Sequence, residues 1–576
     1  MGAAARTAQA TELLGSILDA YDRMEMDSKR YVFAVLLPVA VLFVGSVVLA
    51  IAWQTLFFVR LLLPVLGAVF LATGIAYPKV AVDSRRIEME NRFHLMVTHM
   101  TVLSTTNIDR MEVFRKLANE EEYGELTVEN RRIVQLVDTW NQSLDDALRR
   151  RAKQVPSDSL SDLFDRLAYT LGAGQEMSDF LFEEQSVIIE NYSTIYEQSL
   201  ENLDVMKDLY LSMVLSMTFA LVFAVVLPIL TGTNPTWTVA AVIAMFVFVQ
   251  IGFFLVIRAI VPYDPLWYVE EGYRTRSKQL LVGSTAVAVA LFSLIVLSMV
   301  ASTFGVAPFS VLVPMGSIPQ PLYLAIPTLP FLLPAFFFRR QEQAIIERDE
   351  EFPSFIRALG ASESAKQSTT SMVLRTLRKK DFGALTENLD DLYRRLNMRL
   401  DTESAWRYFA EDTNSYVIQK FSEMYLIGRE MGGDPKQLGE LISANMNELA
   451  QLRERRRQVT VTLVGLLYGI SAASAFAFFT GLEIAIIMAG FDIEVGSGAV
   501  DFGQLLHTEM YNVPLLRYLL LLVLLFNAVV SSLTIRTADG GHYGNAFLHF
   551  VVLIWVGCLT AVGTESLISM LLDVEL

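Results

Sequence analysis

The sequence predicts an all-α, polytopic membrane protein with two homologous helical bundles on the cytosolic side. Three observations support this fold class. The 576-residue chain is 53% hydrophobic and only 19% charged, whereas a water-soluble domain has about 25% charged residues. Its apolar residues form about nine runs of membrane-spanning length, and the polar residues between them collect in two long segments with helical periodicity. These features exclude an ordinary soluble enzyme, and the net charge of −16 argues against nucleic-acid binding.

The predicted transmembrane helices are the runs that contain the roughly 20 mainly apolar residues needed to cross a bilayer. They lie at 31–52, 58–78, 209–230, 236–262, 280–302, 321–338, 459–490, 515–535 and 547–572. No small-residue cleavage site accompanies the first run, so we expect an internal anchor and no removed signal peptide. The single cysteine, Cys558, lies in the last run and excludes a disulfide framework and a cysteine-based metal cluster.

The distribution of Lys and Arg predicts a cytoplasmic N-terminus. In this orientation the external segments contain no Lys or Arg, and their only charged residues are acidic. The external segments are 53–57, 231–235, 303–320, 491–514 and 573–576. Arg274, Arg276, Lys278 and both long polar segments then face the cytoplasm, where positively charged loops are retained. The predicted location is therefore the cell membrane, with multiple passes.

The two polar segments, 84–207 and 339–458, are each long enough for a bundle of several helices. They also resemble each other. Tyr123-Gly124-Glu125-Leu126-Thr127 matches Phe382-Gly383-Ala384-Leu385-Thr386 at an offset of 259, and the same offset pairs Phe93 with Phe352 and Gly174 with Gly433. Two predicted transmembrane helices precede each segment and two follow it, so the sequence predicts a duplication in parallel orientation, with a ninth transmembrane helix added.

The predicted domain order follows from these boundaries. It comprises an amphipathic N-terminal segment (1–30), two transmembrane helices (31–78), the first bundle (79–208), two transmembrane helices (209–262), a cytosolic loop (263–279), two transmembrane helices (280–338), the second bundle (339–458), two transmembrane helices (459–535) and the last transmembrane helix (547–572). The first polar segment is acidic overall, whereas acidic and basic residues balance in the second. The second bundle is therefore the better predicted docking place for an acidic partner surface.

The chain resembles the inner-membrane platform proteins of type II secretion and type IV pilus systems, whose hallmark is a duplicated helical bundle (the type II secretion F domain) between membrane helices. The resemblance lies in Phe93–Leu181 and Phe352–Leu438. Each copy has an opening apolar helix, a Ser/Thr-rich turn and a Gly turn near its far end. The turns are Ser104-Thr105-Thr106 with Gly172 and Gly174, and Ser368-Thr369-Thr370-Ser371 with Gly432 and Gly433. A pair of extra transmembrane helices before each bundle resembles the archaeal branch, in particular its archaellum (archaeal flagellum) assembly platforms.

The resemblance implies a scaffold for filament assembly and motility, and no enzyme or cofactor. Its expected partners are a cytosolic, hexameric secretion-type ATPase, archaellin or other pilin-like subunits, other archaellum motor proteins, the membrane, and a second copy in a homodimer. The implied mechanism couples ATPase movements to insertion of subunits into the filament base and to filament anchoring. A platform for an adhesive archaeal pilus is the alternative within the family.

Motifs for nucleotide or metal chemistry are absent from the sequence. The nearest approach to a phosphate-binding loop runs from Gly360 to Lys366, but Ala365 and Gln367 occupy two of its fixed positions. His94 and His99 are five residues apart and do not share a tight helical face. A transporter is the alternative outside the family, because ionisable residues within transmembrane helices often mark ion pathways. Those residues are Arg60, Arg258, Glu483, Arg517 and Glu565.

Three basic clusters are the candidate ATPase contacts. They are Arg378-Lys379-Lys380, then Arg453 with Arg455-Arg456-Arg457, and Arg149-Arg150-Arg151 with Lys153. For the second cluster, which directly precedes a transmembrane helix, contact with anionic lipid is the alternative. A solvated turn is the alternative for the first, and internal salt bridges are the alternative for the third. Gly432-Gly433-Asp434-Pro435 predicts a helix stop and restart, with Gly432 and Gly433 as a candidate hinge.

The N-terminal stretch 11–24 has its apolar residues on one helical face. Such a helix lies on a membrane or packs against a partner. Asp19 and Asp22 disfavour an anionic lipid surface, so we expect it to pack on the first bundle.

Overall fold

The computed structural model of the protein describes residues 31–52, 57–106, 108–268, 276–303, 318–367, 369–398, 400–490 and 512–573. Within these residues the chain is helical and contains no β-strand. One isolated antiparallel bridge joins Trp267 to Ser415. The predicted all-α class is thus confirmed, while the amphipathic stretch 11–24 lies outside the described residues.

The α-helices of the N-terminal half are α1 (Leu37–Ala52), α2 (Phe57–Ser104), α3 (Arg110–Leu117), α4 (Glu125–Asp138), α5 (Leu144–Ala152), α6 (Asp158–Gly172), α7 (Met177–Val226), α8 (Pro228–Thr231) and α9 (Pro235–Ile260). Those of the C-terminal half are α10 (Arg276–Thr303), α11 (Leu322–Ala325), α12 (Leu332–Lys366), α13 (Thr370–Leu377), α14 (Thr386–Asn397), α15 (Thr402–Thr413), α16 (Tyr416–Glu430), α17 (Pro435–Gly490), α18 (Val513–Asp539) and α19 (Ala546–Asp573). A π-helix, Val32–Leu36, precedes α1, and four short 3₁₀ helices complete the described structure: Glu121–Tyr123, Ile326–Phe331, Gly383–Leu385 and Tyr543–Asn545.

Seven helices in the described part of the chain are long and apolar enough to cross a membrane. They are Met177–Val226, Pro235–Ile260, Ser277–Ser302, Leu322–Lys366, Pro435–Ile487, Val513–Asp539 and Tyr543–Leu571. Each coincides with one of the last seven predicted transmembrane segments. In the first predicted segment the apolar helix Leu37–Val48 is shorter, and residues 53–56, before the second, lie outside the described residues. The protein is therefore a multi-pass membrane protein, and the predicted count of nine stays a prediction.

The boundary between polar and apolar segments is not a break in the helices. The sequence predicts that the first bundle ends at 208 and the second at 458, but α7 is one helix of 50 residues and α17 one of 56. In each, the polar residues come first and the apolar residues follow. A helix of this length is continuous because neither Gly nor Pro interrupts it with a turn, and membrane helices tolerate the glycines within α17. The polar segments are thus covalently and helically continuous with the membrane-spanning segments.

The chain forms two compact units, Met1–Glu190 with Ile427–Gly433, and Asn191–Leu426 with Asp434–Leu576. In the first unit, helices α2 to α6 bury apolar side chains such as Met96, Leu103 and Phe114. In the polar part of the second unit, Phe352, Phe355 and Phe409 are fully buried and their rings lie 5.9–6.4 Å apart. Both segments contain a compact apolar core of their own.

The helices follow the same order in the two polar segments. A long entry helix (α2 or α12) leads to an eight-residue helix (α3 or α13), then to a 3₁₀ helix and three further helices, and finally to a long exit helix (α7 or α17). Gly124 and Gly383, which the sequence pairs, both have positive φ angles, of 57° and 52°. These positions favour glycine because other residues rarely adopt that conformation. The shared order supports the predicted duplication.

The glycine turn at the far end of each segment corrects one predicted pairing. Gly174 and Gly432 have φ angles of 80° and 90°. In each turn the glycine N–H donates to a carbonyl three residues back, and the next N–H donates to one five residues back. This is the Schellman pattern that ends a helix. Gly174 therefore corresponds to Gly432 and not to Gly433, so the offset at this end is one residue shorter than the sequence match implied.

Five of the membrane-spanning helices share one apolar core. It is built by α7, α9, α17, α18 and α19, whose buried residues include Leu221, Phe246, Phe478, Leu520 and Cys558. Polar side chains cross this core in pairs. The Thr218 and Ser474 hydroxyls lie 2.8 Å apart, and Gln250 donates to Asn527 over 2.6 Å. Such pairs satisfy polar groups that would be costly to leave alone in hydrocarbon.

Candidate functional site

The basic cluster Arg378-Lys379-Lys380 lies at the end of α13, where all three side chains are exposed. Arg378 caps the helix, stacks 4.5 Å from the centre of the Tyr393 ring, and lies 3.8 Å from the Asp390 carboxylate. The position after the last turn of a helix suits cations, because the carbonyl ends of the helix carry partial negative charge. The two lysines that follow therefore present an exposed positive surface.

The cluster Arg149-Arg150-Arg151 is divided by the geometry of α5. Arg151 turns inward. Its Nε donates to the buried Glu129 carboxylate over 2.9 Å, and its Nη1 donates to the side-chain oxygen of Gln154 over 2.6 Å. Arg149 and Arg150 are exposed. The ion pair between Arg151 and Glu129 thus holds α5 against α4. An internal salt bridge was the alternative prediction for this cluster.

Arg453 is the centre of a largely buried ionic cluster in the second unit, which we call the Arg453 cluster: Asp264, Asp349, Ser415 and Arg453. The guanidinium of Arg453 lies 2.6 Å from Asp264 and 2.7 Å from Asp349. Ser415 donates its hydroxyl to Asp349 and accepts from the backbone N–H of Ile418 over 3.1 Å, capping α16. The two carboxylates hold the pKa of Arg453 above its ordinary value despite burial. Burial raises the pKa of Asp349 to about 6.

Arg456 lies three residues further along α17 and caps another helix. Its buried guanidinium donates to the backbone carbonyls of Ala538 over 2.8 Å and Thr537 over 3.3 Å, at the C-terminal end of α18. A third bond, of 3.3 Å, reaches the carbonyl of Pro262. Helix ends leave carbonyls without intrahelical partners, and an arginine from a neighbouring helix satisfies them here.

Arg455 and Arg457, in contrast, are exposed. Arg455 forms an ion pair with Glu197 on α7. The prediction treated Arg453 and these arginines as one basic cluster. In the structure the guanidinium groups of Arg453 and Arg456 contact internal partners, and only Arg455 and Arg457 are exposed.

The chain after α9 pairs with the second polar segment. The N–H of Tyr268 donates to the carbonyl of Asn414 over 2.9 Å, and the N–H of Tyr416 donates to that of Leu266 over 3.1 Å. Trp267 and His542 have ring centres 5.1 Å apart, and His542 stacks on Phe338 at 4.7 Å. The connections that follow α9 and α18 therefore meet α12 at the point where its apolar run ends.

Glu342 lies one turn beyond this point on α12 and is buried. Asn545 donates its side-chain amide to the Glu342 carboxylate over 2.6 Å. Burial raises the pKa of Glu342 to about 8, the nearby Asp539 acts in the same direction, and a hydrogen bond from the backbone N–H of His542 opposes them. Glu342 thus joins α12 to the connection between α18 and α19, and at neutral pH it is held mainly in its protonated form.

Replacement of Glu342 by Gln is expected to flatten the pH dependence of stability. Between pH 4.5 and 8 the unfolded chain releases the Glu342 proton while the folded protein retains it, so stability falls as pH rises through this window. The loss is about 1.4 kcal/mol for each unit of pKa difference. Thermal unfolding of the full chain in nanodiscs at pH 5, 6, 7 and 8 should show a smaller decrease in Tm for Glu342→Gln than for the unmodified protein. Gln343→Glu, which alters the neighbouring position, is the control. Parallel pH profiles for Glu342→Gln and the unmodified protein would contradict the assignment.

The intramembrane charges that suggested transport are partly paired. Arg517 lies 3.4 Å from Glu565 and 3.7 Å from Glu483, and it donates to the amide oxygen of Gln320 over 3.3 Å. Arg517 follows closely on the start of α18, so this group sits near one end of the membrane-spanning helices. Three helices, α17, α18 and α19, are thereby joined at the ends remote from the Arg453 cluster.

The described residues contain no group of three or more His, Cys, Asp or Glu side chains placed to hold a metal ion. His99 contacts the Tyr123 hydroxyl at 3.0 Å. Gly360, in the failed phosphate-loop motif, lies within α12, where it lets the backbone of α17 approach closely.

Comparisons with known proteins agree with this architecture. The family description "Type II secretion system (T2SS), protein F" matches residues 96–227. Flagella accessory protein J of Methanocaldococcus jannaschii is 31% identical over 572 residues, covering 97% of this chain and 99% of the relative. Flagella accessory protein J of Methanococcus voltae is 31% identical over 561 residues, covering 96% and 99%. No solved structure matches the chain. This chain, which carries a match to the type II secretion system protein F model, therefore belongs to the flagella accessory protein J family.

Proposed function

We propose that this protein is the membrane platform of an archaellum, coupling a cytosolic hexameric ATPase to the assembly and anchoring of a filament of pilin-like subunits. The observation that carries the proposal is the similarity to flagella accessory protein J over nearly the full length of both chains. The chain would act as a scaffold and not as a catalyst. Other archaellum motor proteins and a second copy of the chain complete the proposed assembly.

The proposed orientation has the N-terminus and both polar segments in the cytoplasm. It rests on the absence of Lys and Arg from the segments assigned to the outside, together with the arginines that precede the apolar runs of α10 and α17. Reporter fusions test it. Fusions at Asn234 and Gly496 should report an external position and a fusion at Gly272 an internal one, and a single reversal would contradict the topology.

The helices offer a direct route for movement from the polar segments to the membrane. Helices α7 and α17 pass from one to the other without interruption. The Arg453 cluster joins α12, α17, the N-terminus of α16 and the connection after α9. A displacement of the second polar segment would therefore be transmitted to several membrane-spanning helices at once. Gly432 and Gly433, at the Schellman turn after α16, are the proposed hinge.

The proposed motor contact is the exposed cluster Arg378-Lys379-Lys380. The second polar segment is electrically balanced overall, so an exposed group of three cations is a distinct positive surface on it. Arg149 and Arg150 form a smaller exposed pair in the acidic first segment. Since Arg151, Arg453 and Arg456 are engaged by internal partners, the docking surface we propose excludes them.

Reversal of this surface charge is expected to reduce ATPase binding at least tenfold. The variant is Arg378→Glu with Lys379→Glu and Lys380→Glu, measured by co-purification of the full chain with the secretion ATPase encoded in the same genome. The control reverses three exposed cations elsewhere in the segment, Arg394, Arg407 and Lys436, and should bind normally. Because the net charge change is the same in both variants, a difference in ATPase binding between them would reflect the position of the reversed charges. Normal binding by the first variant would contradict the motor contact, and absence of binding by the unmodified chain would favour the transporter alternative.

An adhesive archaeal pilus platform remains the alternative within the family. The archaellum platform and the adhesive pilus platform differ in the filament that a cell loses when the gene is deleted. We expect deletion of the gene to abolish swimming and archaellum filaments while adhesive pili persist. Retained swimming with loss of surface adhesion would assign the chain to the adhesive pilus.

A further inference from the structure

A cavity of about 450 Å³ lies in the second unit where α12 and α17 leave their apolar runs. The two helices are antiparallel there, because Gly360 lies beside Gly439 and Asp349 beside Arg453. Parts of α18 and α19 close the remaining side. The volume falls within the range of small-ligand pockets, which is about 300–1,000 Å³.

The lining changes character along the cavity. At the membrane end it is apolar, with Val461, Val464 and Leu548. Arg339 and Arg457 follow at the predicted boundary of the membrane-spanning segments. Beyond these arginines the lining mixes the hydrogen-bond acceptors Gln343, Glu350 and Glu454 with apolar side chains, Ile346 and Met446 among them. The cavity thus has an apolar level, a basic level and a mixed level that offers hydrogen-bond acceptors.

The two arginines at the middle level are available for a ligand. Both side chains are exposed, and no carboxylate in the part of the chain that the structure describes lies within ion-pair distance of either guanidinium. The other two arginines of the cavity are engaged, Arg453 by two aspartates and Arg456 by the carbonyl ends of α18. Of the acids in the lining, Asp264 and Asp349 face Arg453, and Glu342 is held mainly protonated. Asp539, at the end of α18, interacts with Arg339, Arg456 and Arg457 at longer range, while burial raises its pKa. Arg339 and Arg457 are therefore the cations of this cavity that an anionic ligand could pair with directly.

We propose that this cavity binds the headgroup of an anionic glycerophospholipid, with its phosphate between Arg339 and Arg457 and the start of its hydrocarbon chains along Val461 and Val464. Glycerol hydroxyls beyond the phosphate would donate to Glu350 and Glu454, so phosphatidylglycerol is the class of lipid that matches all three levels. Basic pockets at the ends of membrane helices bind such headgroups. A carboxylate of a folded partner fits less well, since the apolar level would stay uncovered.

A lipid in this position would contact both α12 and α17 beside the Arg453 cluster. It would add a bridge between the helices that carry the polar segment and those that cross the membrane. Lipid composition would then set the stability of this junction, independently of the ATPase contact proposed above.

The test uses the full chain in nanodiscs of phosphatidylcholine with and without phosphatidylglycerol. The variant Arg339→Gln with Arg457→Gln is compared with Arg340→Gln and Arg455→Gln. The control pair removes one exposed arginine from each of the same two helices, one or two residues away and outside the cavity lining. Phosphatidylglycerol should raise the Tm of the unmodified protein and of the control. In the cavity variant we expect no such rise, with at least a tenfold loss of phosphatidylglycerol retained in native mass spectrometry.

A second variant keeps all charges. Val461→Trp, at an exposed position, should fill the apolar level and displace lipid without disturbing either arginine. Equal loss of lipid in the cavity and control pairs would overturn the site in favour of general surface attraction. If inorganic phosphate raised the Tm of the detergent-solubilised protein as much as phosphatidylglycerol does, the ligand would be a free anion and not a lipid. Unchanged lipid retention with lost ATPase binding in the cavity variant would instead make this a protein contact.

Discussion

Replacement of Arg453 by Met is expected to destabilise the protein by about 3–5 kcal/mol, the cost of removing one partner from a buried ion pair. Asp264 and Asp349 would remain largely shielded from water with no guanidinium between them. Thermal unfolding of the full chain in nanodiscs, followed by tryptophan fluorescence, should show a Tm lowered by many degrees. Arg455→Met, two residues away on the same helix and exposed, should change the Tm little, because exposed ion pairs contribute at most about 1 kcal/mol.

A compensating variant separates charge from packing. Arg453→Met combined with Asp264→Asn and Asp349→Asn removes all three charges and should recover much of the lost stability. If Arg453→Met and Arg455→Met unfold at the same temperature, the cluster does not stabilise the junction. Failure of the triple variant to recover would assign the loss to packing of the arginine side chain.

Replacement of Gly439 by Ala is the second substitution with a large expected effect. A Cβ at Gly439 would lie 2.8 Å from the backbone carbonyl of Ile356, and one at Gly360 would lie 2.1 Å from that of Pro435. Backbone atoms cannot move aside as a flexible side chain can, so α12 and α17 must separate. Overpacking of this kind costs about 1–3 kcal/mol, against a gain of about 1 kcal/mol in helix propensity.

The matched control for Gly439→Ala is Gly465→Ala on the same helix, where a Cβ would meet nothing within 4 Å. It should be neutral or slightly stabilising. Gly439→Ala should lower the Tm and the yield of folded protein, and Gly360→Ala should do so more strongly. A Tm for Gly439→Ala at or above that for Gly465→Ala would show that the helices do not approach as closely as described.

The helical segments could be predicted well from the sequence because their signals are local. Runs of about 20 apolar residues located seven membrane-spanning helices, and the match around Gly124 and Gly383 predicted two positions of positive φ. The continuity of α7 and α17 was missed. A change from polar to apolar composition looks like a boundary, although nothing at that point ends a helix.

The residues of the Arg453 cluster could not be assembled from sequence. Asp264 is 189 residues from Arg453, and Asp349 is 104 residues away. The sequence could predict which of these arginines share a helical face. A spacing of three puts Arg456 on the same face as Arg453, whereas Arg455 lies on another. Which face is buried depends on α12 and α18, and no local pattern identifies those neighbours. The exposed cluster at Arg378 needed no such information, because it follows a short helix in a polar stretch.

The length of α17 has a mechanical consequence. Its 56 residues extend about 84 Å at 1.5 Å per residue, whereas the hydrocarbon core of a bilayer is about 30 Å thick. Residues 435–458, which precede the predicted membrane-spanning run of this helix, extend about 36 Å and would act as a lever arm whose fulcrum is the bilayer. A tilt of about 10° over this arm would move its end by roughly 6 Å, while the part within the membrane would move a few ångströms in the opposite direction. Large movements of the polar end of α17 would thus become smaller displacements, exerted with greater force, at the opposite membrane surface.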